Sequence, residues 1–265
     1  MRSDLHYTKY DVETCWYNSV CEKYQTEECS WKCRKMQQTK FLLDLSNLPG
    51  KMRRPLHLDI RKVDKESAKY LNAILYDPGY FVACGTNAYF YGSTGTGKTS
   101  WACKILNNYF ASIAESNYNQ CRGLFVSVPK LLRDIKMDIG HPNADPNFLE
   151  FIHTLENTDL VIWDDIIQTT PTDYESVWLY SLINTRTLNC KANIFTSNID
   201  PEDLTSDDYR LASRVCLNSM LVHFQGKDLR CSNKFLNTVN EFLETNPDAF
   251  SVDSENYIGI PVEDN

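Results

Sequence analysis

The chain has 265 residues, of which 42% are hydrophobic and 23% charged, and a formal net charge of −8. These values are typical of a globular protein with room for one large domain or two smaller ones. The acidic balance argues against a broad basic surface for duplex DNA. The sequence has no apolar run long enough to cross a bilayer and no apolar signal core near Met1, so we expect a cytoplasmic protein with no membrane partner.

Residues 1–55 differ in composition from the rest and are predicted to form a small cysteine-rich N-terminal domain. Four of the ten cysteines of the chain lie here: Cys15, Cys21, Cys29 and Cys33. Without a secretion signal, reduced thiols or metal ligands are expected. Four thiolates would complete a tetrahedral Zn²⁺ site, with His6 as an alternative ligand, and so small a segment would need the metal for stability. Because only Cys29 and Cys33 are closely spaced, four unrelated reduced cysteines are the alternative.

Residues 48–56 are predicted to link this domain to a larger one that spans residues 56–240. The link contains proline, glycine and the basic residues Lys51, Arg53 and Arg54, which either contact phosphates or are simply solvated. An amphipathic helix is predicted over residues 64–76.

Residues 92–99 read GSTGTGKT and match the phosphate-binding pattern G-x-x-x-x-G-K-[ST]. A predicted strand over residues 87–91 precedes them, and residues 100–110 follow with apolar side chains at helical spacing, which is the context that the motif requires. The glycines let successive backbone N–H groups point at a phosphate, and the start of the helix adds partial positive charge. A glycine-rich turn that matches by chance is the alternative.

This motif predicts the binding of a nucleoside triphosphate with Mg²⁺. Lys98 would reach the β- and γ-phosphates, and the Thr99 hydroxyl would bind Mg²⁺. The residues expected to surround the phosphates are Gly92, Ser93, Thr94, Gly95, Thr96, Gly97, Lys98, Thr99 and Ser100.

The next predicted elements are a buried strand over residues 123–128 and a helix over residues 129–136. Residues 137–145 are polar and contain glycine and proline, which predicts an exposed loop. Helical spacing resumes over residues 148–155.

Asp164 and Asp165 follow a run of four apolar residues, 160–163, that is predicted to be a buried strand. In an open parallel sheet, ligands bind at the carboxyl ends of the strands. Asp164 would hold Mg²⁺ through water, and Asp165 would act as general base toward the attacking water. Two acids after a strand also occur in surface turns, so this assignment depends on the phosphate loop upstream.

Polar residues also follow the next strand. A helix over residues 174–188 leads to a strand over residues 191–196, after which Asn198 could hydrogen-bond the γ-phosphate or the attacking water. Helix capping is the alternative role of this asparagine. Arg214, on a predicted helix over residues 210–215, is either a surface charge or an arginine finger that completes the site of a neighbouring subunit.

The chain ends with a fifth predicted strand, residues 219–224, and an acidic tail. Residues 241–265 contain no Lys or Arg. We expect this tail to be loosely packed or disordered.

The order of these motifs resembles that of the DnaC/DnaI group of AAA+ helicase loaders, above all the versions carried by phages and mobile elements of Gram-positive bacteria. The resemblance covers residues 65–235 and rests on five motifs in sequence: the phosphate loop, the Asp-Asp and Thr-Ser-Asn strand ends, Ser-Arg, and Gly-x-Asp-x-Arg. The N-terminal cysteines resemble, more loosely, the zinc-binding, helicase-contacting domain of the DnaI branch.

The resemblance implies an α/β fold of the AAA+ P-loop NTPase type, with helices flanking a five-stranded parallel sheet and the phosphate-loop strand near its centre. It implies a Mg²⁺-dependent ATPase, stimulated by a partner or by DNA, that delivers a DnaB-like replicative helicase onto single-stranded DNA when replication begins. An ATP-dependent homo-oligomer is also implied.

Carried over residue by residue, Gly92–Thr99 is Walker A, and Asp164 with Asp165 is Walker B. Asn198 is sensor 1, and Arg214 is the arginine finger. Arg230 lies where the family carries a late arginine, and we expect it to contact the nucleotide.

Two features depart from the family pattern. Asp165 stands where many AAA+ proteins have glutamate, which suggests slow turnover, and we expect no separate helical lid domain in the few acidic residues after Arg230. The family's contact with single-stranded DNA corresponds to a place within residues 130–155. Candidates there are Lys130, Arg133 and Lys136 for phosphates and Phe148 or Phe151 for stacking on bases, although a solvated face and core aromatics are equally compatible with the pattern.

Three other functions are alternatives to the loader. An IstB-like transposition ATPase, which assembles on DNA and recruits a transposase, shares nearly all of these motifs, but the cysteine-rich N-terminus favours the loader. A small-molecule kinase would leave the Thr-Ser-Asn and Ser-Arg motifs without a role. A scaffold that binds nucleotide without turnover is disfavoured because Lys98, Thr99, Asp164 and Asp165 are all present.

Overall fold

The structure is a computed structural model that describes residues 15–30, 33–60, 63–139, 145–166, 172–203, 209–216 and 219–225. All of them belong to one compact unit. Within these ranges, no helix is long and apolar enough to cross a membrane. His6, Arg230 and the acidic tail, residues 241–265, lie outside these ranges.

Eight α-helices and five strands occupy the described chain. The strands are β1 (Asn87–Gly92), β2 (Gly123–Ser127), β3 (Leu160–Asp164), β4 (Ala192–Thr196) and β5 (Ser219–Phe224). The helices are α1 (Arg34–Leu45), α2 (Lys65–Tyr76), α3 (Pro78–Ala83), α4 (Lys98–Ile113), α5 (Val128–Ile139), α6 (Pro146–Asn157), α7 (Asp173–Leu188) and α8 (Tyr209–Cys216). Short 3₁₀ turns occupy Gly50–Met52 and Pro201–Asp203.

The five strands form one parallel sheet in the order β2-β3-β4-β1-β5. The predicted five-stranded parallel sheet is therefore confirmed. β1 lies inside the sheet between β4 and β5, one strand from the edge. Because all strands run the same way, the carboxyl ends of β1, β3 and β4 meet at one edge, where ligands of such sheets bind.

Alternating side chains of β1, β2, β3 and β4 supply two separate cores. In β1, Ala88 and Phe90 pack in the core on one face with α2, α3 and α4, while Tyr89 packs in the core on the other face with α5, α7 and α8. The same alternation separates Ile162 from Trp163 in β3. All five side chains are 0% exposed, so covering both faces with helices fixes the register of the sheet.

A buried polar network joins α7 to the amino ends of the strands. Arg186 is 0% exposed and donates hydrogen bonds to Asn193 Oδ1 and to the carbonyl oxygens of Leu155, Thr158 and Ala192. Burial lowers the pKa of Arg186 to about 9. Because its hydrogen bonds satisfy four buried acceptors, Arg186 holds the ends of three elements together.

The helices α1 and α3 were not predicted, and α5 extends further than expected. α3 is short, but Asp77 Oδ1 accepts from Tyr80 N at 2.8 Å and Pro78 occupies its first position, a strong start signal that turn-forming residues obscure in the sequence. α5 continues to Ile139, so the predicted loop over residues 137–145 was wrong for its first three residues. Residues 140–144 lie outside the described ranges.

The described part of the N-terminal segment packs against α4. Tyr17 donates a 3.1 Å hydrogen bond to Ala111 O, and Lys35 forms a 2.6 Å ion pair with Glu115. The link over residues 48–56 is also fixed, because Asn107 on α4 donates to Met52 O and Arg54 O. Residues 48–56 thus lie along the surface of α4, the helix that follows the phosphate loop.

Candidate functional site

The phosphate loop leaves β1 at Gly92 and enters α4 at Lys98. Gly92, Gly95 and Gly97 have φ values of 131°, 78° and 100°, which residues with a Cβ atom rarely adopt. A Cβ on Gly92 would lie 2.2 Å from Phe224 O of β5. The loop therefore needs glycine both for its conformation and for its close approach to the neighbouring strand.

Lys98 points back across the loop and is 6% exposed. Its Nζ donates to Gly92 O and Ser93 O, each at 2.8 Å, and to Asn198 Oδ1 at 2.9 Å. The ammonium group thus lies between the loop and the end of β4. A phosphate placed in the loop would meet this charge directly.

Thr99 and Asp164 join the start of α4 to the end of β3. Thr99 Oγ1 donates to Asp164 Oδ1 at 2.7 Å, and Thr196 Oγ1 lies 2.8 Å from the same oxygen. Burial raises the pKa of Asp164, the two hydroxyl hydrogen bonds lower it, and the charge of Asp165 raises it again. A hydroxyl and a carboxylate at this separation are oxygen ligands suited to Mg²⁺, so the residues present fit the ion.

Asp165 has a left-handed backbone, with φ of 56°. This conformation costs a non-glycine residue about 1 kcal/mol or more, and it is enriched where a side chain must be directed into a site. Asp165 N donates to Thr196 Oγ1 at 3.0 Å, and Ile166 N donates to Thr196 O at 2.9 Å. The contacts with β4 therefore maintain the turn that follows Asp164.

Beside the start of α4 lies a cavity of about 560 Å³. Its wall includes Ser100 and the link to the N-terminal segment, with apolar side chains from Met52, Leu56 and Leu58 and the charged groups of Lys51 and Arg54. Lys104 donates to Leu56 O at 2.6 Å, which holds the link along α4. The cavity adjoins the phosphate loop through Ser100.

The predicted site residues of the phosphate loop, Asp164, Asp165 and Asn198 thus lie together at the carboxyl edge of the sheet. Arg214 is partly exposed in the last turn of α8, and no ion pair between described residues involves it. Arg230 lies outside the described residues. No function was predicted for Thr196 from the sequence, although this residue lies only two positions before Asn198.

The candidate DNA contacts fall into two groups. Phe148 and Phe151 are partly buried and pack against the core, which favours the core alternative for these aromatics. Arg133 forms a 3.6 Å ion pair with Asp134, and Lys136 forms a 2.8 Å ion pair with Glu175. Lys130 is exposed.

The four N-terminal cysteines line one cavity of about 590 Å³, beside α1 and the end of α4. The nine described cysteines of the chain form no disulfide. However, no group of three or more His, Cys, Asp or Glu side chains in the described ranges could hold a metal ion. Zinc needs sulfurs about 2.3 Å from one point, whereas these thiols surround a large space, so the zinc prediction is not supported.

No protein-family model and no curated protein matches the chain. Among solved structures, DnaI is similar over 71% of this chain and 98% of its own, with 20% identity and a TM-score of 0.51. The chain has the fold of DnaI. The DnaC helicase loader is 20% identical over 60% of this chain and 89% of its own, with a TM-score of 0.46. The replication initiator DnaA, bound to AMPPCP and single-stranded DNA, is 19% identical over 73% of this chain and 54% of its own, with a TM-score of 0.49.

The DnaI likeness confirms, at the level of fold, the resemblance that the order of motifs indicated. The five-stranded parallel sheet with helices on both faces is the arrangement that this resemblance implied. At 20% identity, activity and partners do not follow from the fold.

Proposed function

We propose that the chain is an ATPase of the helicase-loader type. The observation that carries the proposal is the convergence of three strand ends on one point: Lys98 contacts Asn198, and Thr99 contacts Asp164. These contacts bring the phosphate loop, the acid pair and the polar end of β4 within reach of a single triphosphate. The cavity beside Ser100 has room for the rest of a nucleotide.

Each residue has a role in this proposal. The loop N–H groups and Lys98 bind the β- and γ-phosphates. Thr99 and Asp164 would hold Mg²⁺, which would supply positive charge beside the phosphate oxygens. Asp165 orients the attacking water and accepts its proton, and Asn198 hydrogen-bonds the γ-phosphate or that water. Arg214 acts on the ATP of an adjacent subunit in a homo-oligomer, and Arg230 contacts the nucleotide.

The biological partner proposed is a DnaB-like replicative helicase, delivered onto single-stranded DNA. The shared fold with DnaI supports this choice. Residues 1–55 form the helicase-docking region, residues 56–240 the ATPase, and residues 241–265 an acidic tail. Because Asp165 has a shorter side chain than glutamate, turnover is slow and ATP serves as a switch.

Helicase capture tests the proposal. The full-length protein is immobilised and presented with a panel of hexameric bacterial replicative helicases, in ATP, in ADP and without nucleotide. A loader retains one of the helicases with an affinity that depends on the nucleotide, and Lys98→Ala removes that dependence. If no helicase binds and the protein instead forms ATP-dependent filaments on DNA, the transposition ATPase replaces the loader.

A further inference from the structure

The hydroxyl of Thr196 lies between the two acidic residues. Thr196 is the last residue of β4 and is 0% exposed. Its Oγ1 is 3.0 Å from the backbone N of Asp165 and 2.8 Å from Asp164 Oδ1. Because the N–H of Asp165 can only donate, the hydroxyl accepts there and uses its single proton toward the Asp164 carboxylate.

Thr196 also bonds the next residue through its backbone. Its carbonyl oxygen accepts from Ile166 N at 2.9 Å. Thr196 therefore forms hydrogen bonds with three consecutive residues at the end of β3: Asp164, Asp165 and Ile166. Asp165, which has a φ of 56°, is the middle one. A left-handed residue persists only where its surroundings hold it, and here one threonine supplies contacts on both sides.

We propose that Thr196 is a positioning residue for the acid pair: its hydroxyl fixes the Asp164 carboxylate beside Thr99 and holds the backbone that directs Asp165 toward the phosphate loop. This inference rests on the proposed ATPase function. Thr196 itself contacts neither phosphate nor water in this role, and it acts through Asp164 and Asp165. Asn198, two residues later, remains the residue of this strand end that faces Lys98.

Two comparisons isolate the effect of the hydroxyl. Thr196→Val replaces it with a methyl group of the same shape, while Thr196→Ser and Thr196→Ala differ from each other only by the hydroxyl. Thr187→Val is the matched control, because the Thr187 hydroxyl bonds Ile183 O within α7. Three quantities are measured for each folded protein: the dissociation constant of a fluorescent ATP analogue, the Mg²⁺ concentration that half-saturates its binding, and the rate of ATP hydrolysis in a single turnover with protein in excess.

Thr196→Val and Thr196→Ala are expected to lower the hydrolysis rate by about 10- to 100-fold and to raise the Mg²⁺ requirement, as loss of an outer partner of a metal ligand commonly does. Their affinity for the ATP analogue at saturating Mg²⁺ is expected to stay within about threefold of wild type, since the phosphate loop is intact. Thr196→Ser and Thr187→Val are expected to behave like wild type.

Two results would overturn the assignment. One is a Thr196→Ala protein as fast as Thr196→Ser, which would decide the question even if Thr196→Val did not fold; if both were slower than wild type, the methyl group would matter through packing alone. The other is a loss of ATP affinity in parallel with the rate. A wild-type protein that binds no ATP would instead overturn the ATPase function itself, so the two failures are distinguishable.

Discussion

Lys98 Nζ donates a 2.9 Å hydrogen bond to Asn198 Oδ1, across the gap between the phosphate loop and the end of β4. The side chain of Asn198 is exposed, whereas that of Lys98 is buried. A neutral carbonyl oxygen holds the ammonium group in place without cancelling its charge. In the proposed site, this charge is therefore available to an incoming γ-phosphate.

Changing Asn198 to aspartate tests this relationship. A carboxylate next to Lys98 would form an ion pair with it and would repel the triphosphate, so Asn198→Asp is expected to weaken ATP binding by about tenfold or more. Asn198→Ala removes the hydrogen bond without adding charge and is expected to keep ATP affinity within about threefold while slowing hydrolysis. Titration with a fluorescent ATP analogue measures both. Equal affinities for the aspartate and alanine variants would show that Asn198 does not face the phosphates.

Removing the Lys98 charge should abolish measurable ATP binding. A charge-assisted hydrogen bond to phosphate contributes about 1.5–3 kcal/mol, or roughly 10- to 150-fold in affinity, and Lys98 would make more than one. Isothermal titration calorimetry of Lys98→Ala with ATP and Mg²⁺ measures the loss. Lys69→Ala, on the exposed side of α2, is the matched control and should bind like wild type. ATP binding by Lys98→Ala at wild-type strength would exclude the phosphate loop as the site.

Arg214→Ala is expected to leave ATP binding intact and to remove the hydrolysis that DNA or a partner stimulates. The reason is that an arginine finger acts on the transition state in a neighbouring subunit, where it neutralises charge on the transferred phosphoryl group. Mixing two inactive proteins gives a sharper measurement. Arg214→Ala retains its own acid pair and Asp165→Asn retains its own arginine, so mixed oligomers should recover part of the stimulated rate. An Arg214→Ala protein that hydrolyses ATP normally under stimulation would remove the assignment.

Glu175 supplies a prediction about pH and stability. It completes a capping box with Thr172 at the start of α7, and the Lys136 ammonium, followed by the Thr172 backbone N–H, lowers the pKa of Glu175 from 4.5 to about 2. A lowered carboxyl pKa stabilises the fold above the unfolded-state value and loses that effect as pH falls toward the folded value. Glu175→Gln is therefore expected to lower the free energy of unfolding by about 1 kcal/mol at neutral pH.

Urea denaturation of wild type and of Glu175→Gln at a series of pH values measures the difference between their free energies of unfolding. It should be constant above pH 5 and should shrink between pH 4.5 and pH 2, the two pKa values that bound the titration of Glu175. Glu150→Gln, on the exposed face of α6, is the control and should show little difference at any pH. A Glu175→Gln effect that stays the same down to pH 3 would mean that the cap does not depend on the charge.

The sequence predicted the sheet and the site edge well because both depend on local patterns. Apolar runs such as residues 160–163 read as buried strands, and the five observed strands fall within about two residues of the predicted ones. The positions of the glycines in the phosphate loop predict its backbone conformation. Since parallel strands end at one edge, the carboxylates after β3 and the amide after β4 had to lie near the loop.

Other features depend on contacts between distant residues and left no local signal. In the sequence, Arg186 looks like an ordinary residue near a helix end. In the structure it is completely buried, and it donates hydrogen bonds to Asn193 and to carbonyl groups of other elements. Thr196 reads as the last residue of a strand, and only the pairing of β3 with β4 brings its hydroxyl to Asp164. For the cysteines, the presence of four in a short segment indicated a metal site, whereas metal binding requires that the sulfurs converge in space.

Loading of a helicase onto circular single-stranded DNA is the most direct test of the central claim. The protein, a DnaB-like hexamer and a closed DNA circle are mixed with ATP, and the helicase that co-elutes with DNA in gel filtration is quantified. Our account predicts helicase on the circle only when wild-type protein and ATP are both present, and none with Lys98→Ala. Equal loading with and without the protein, or loading that is unchanged by Lys98→Ala, would contradict it.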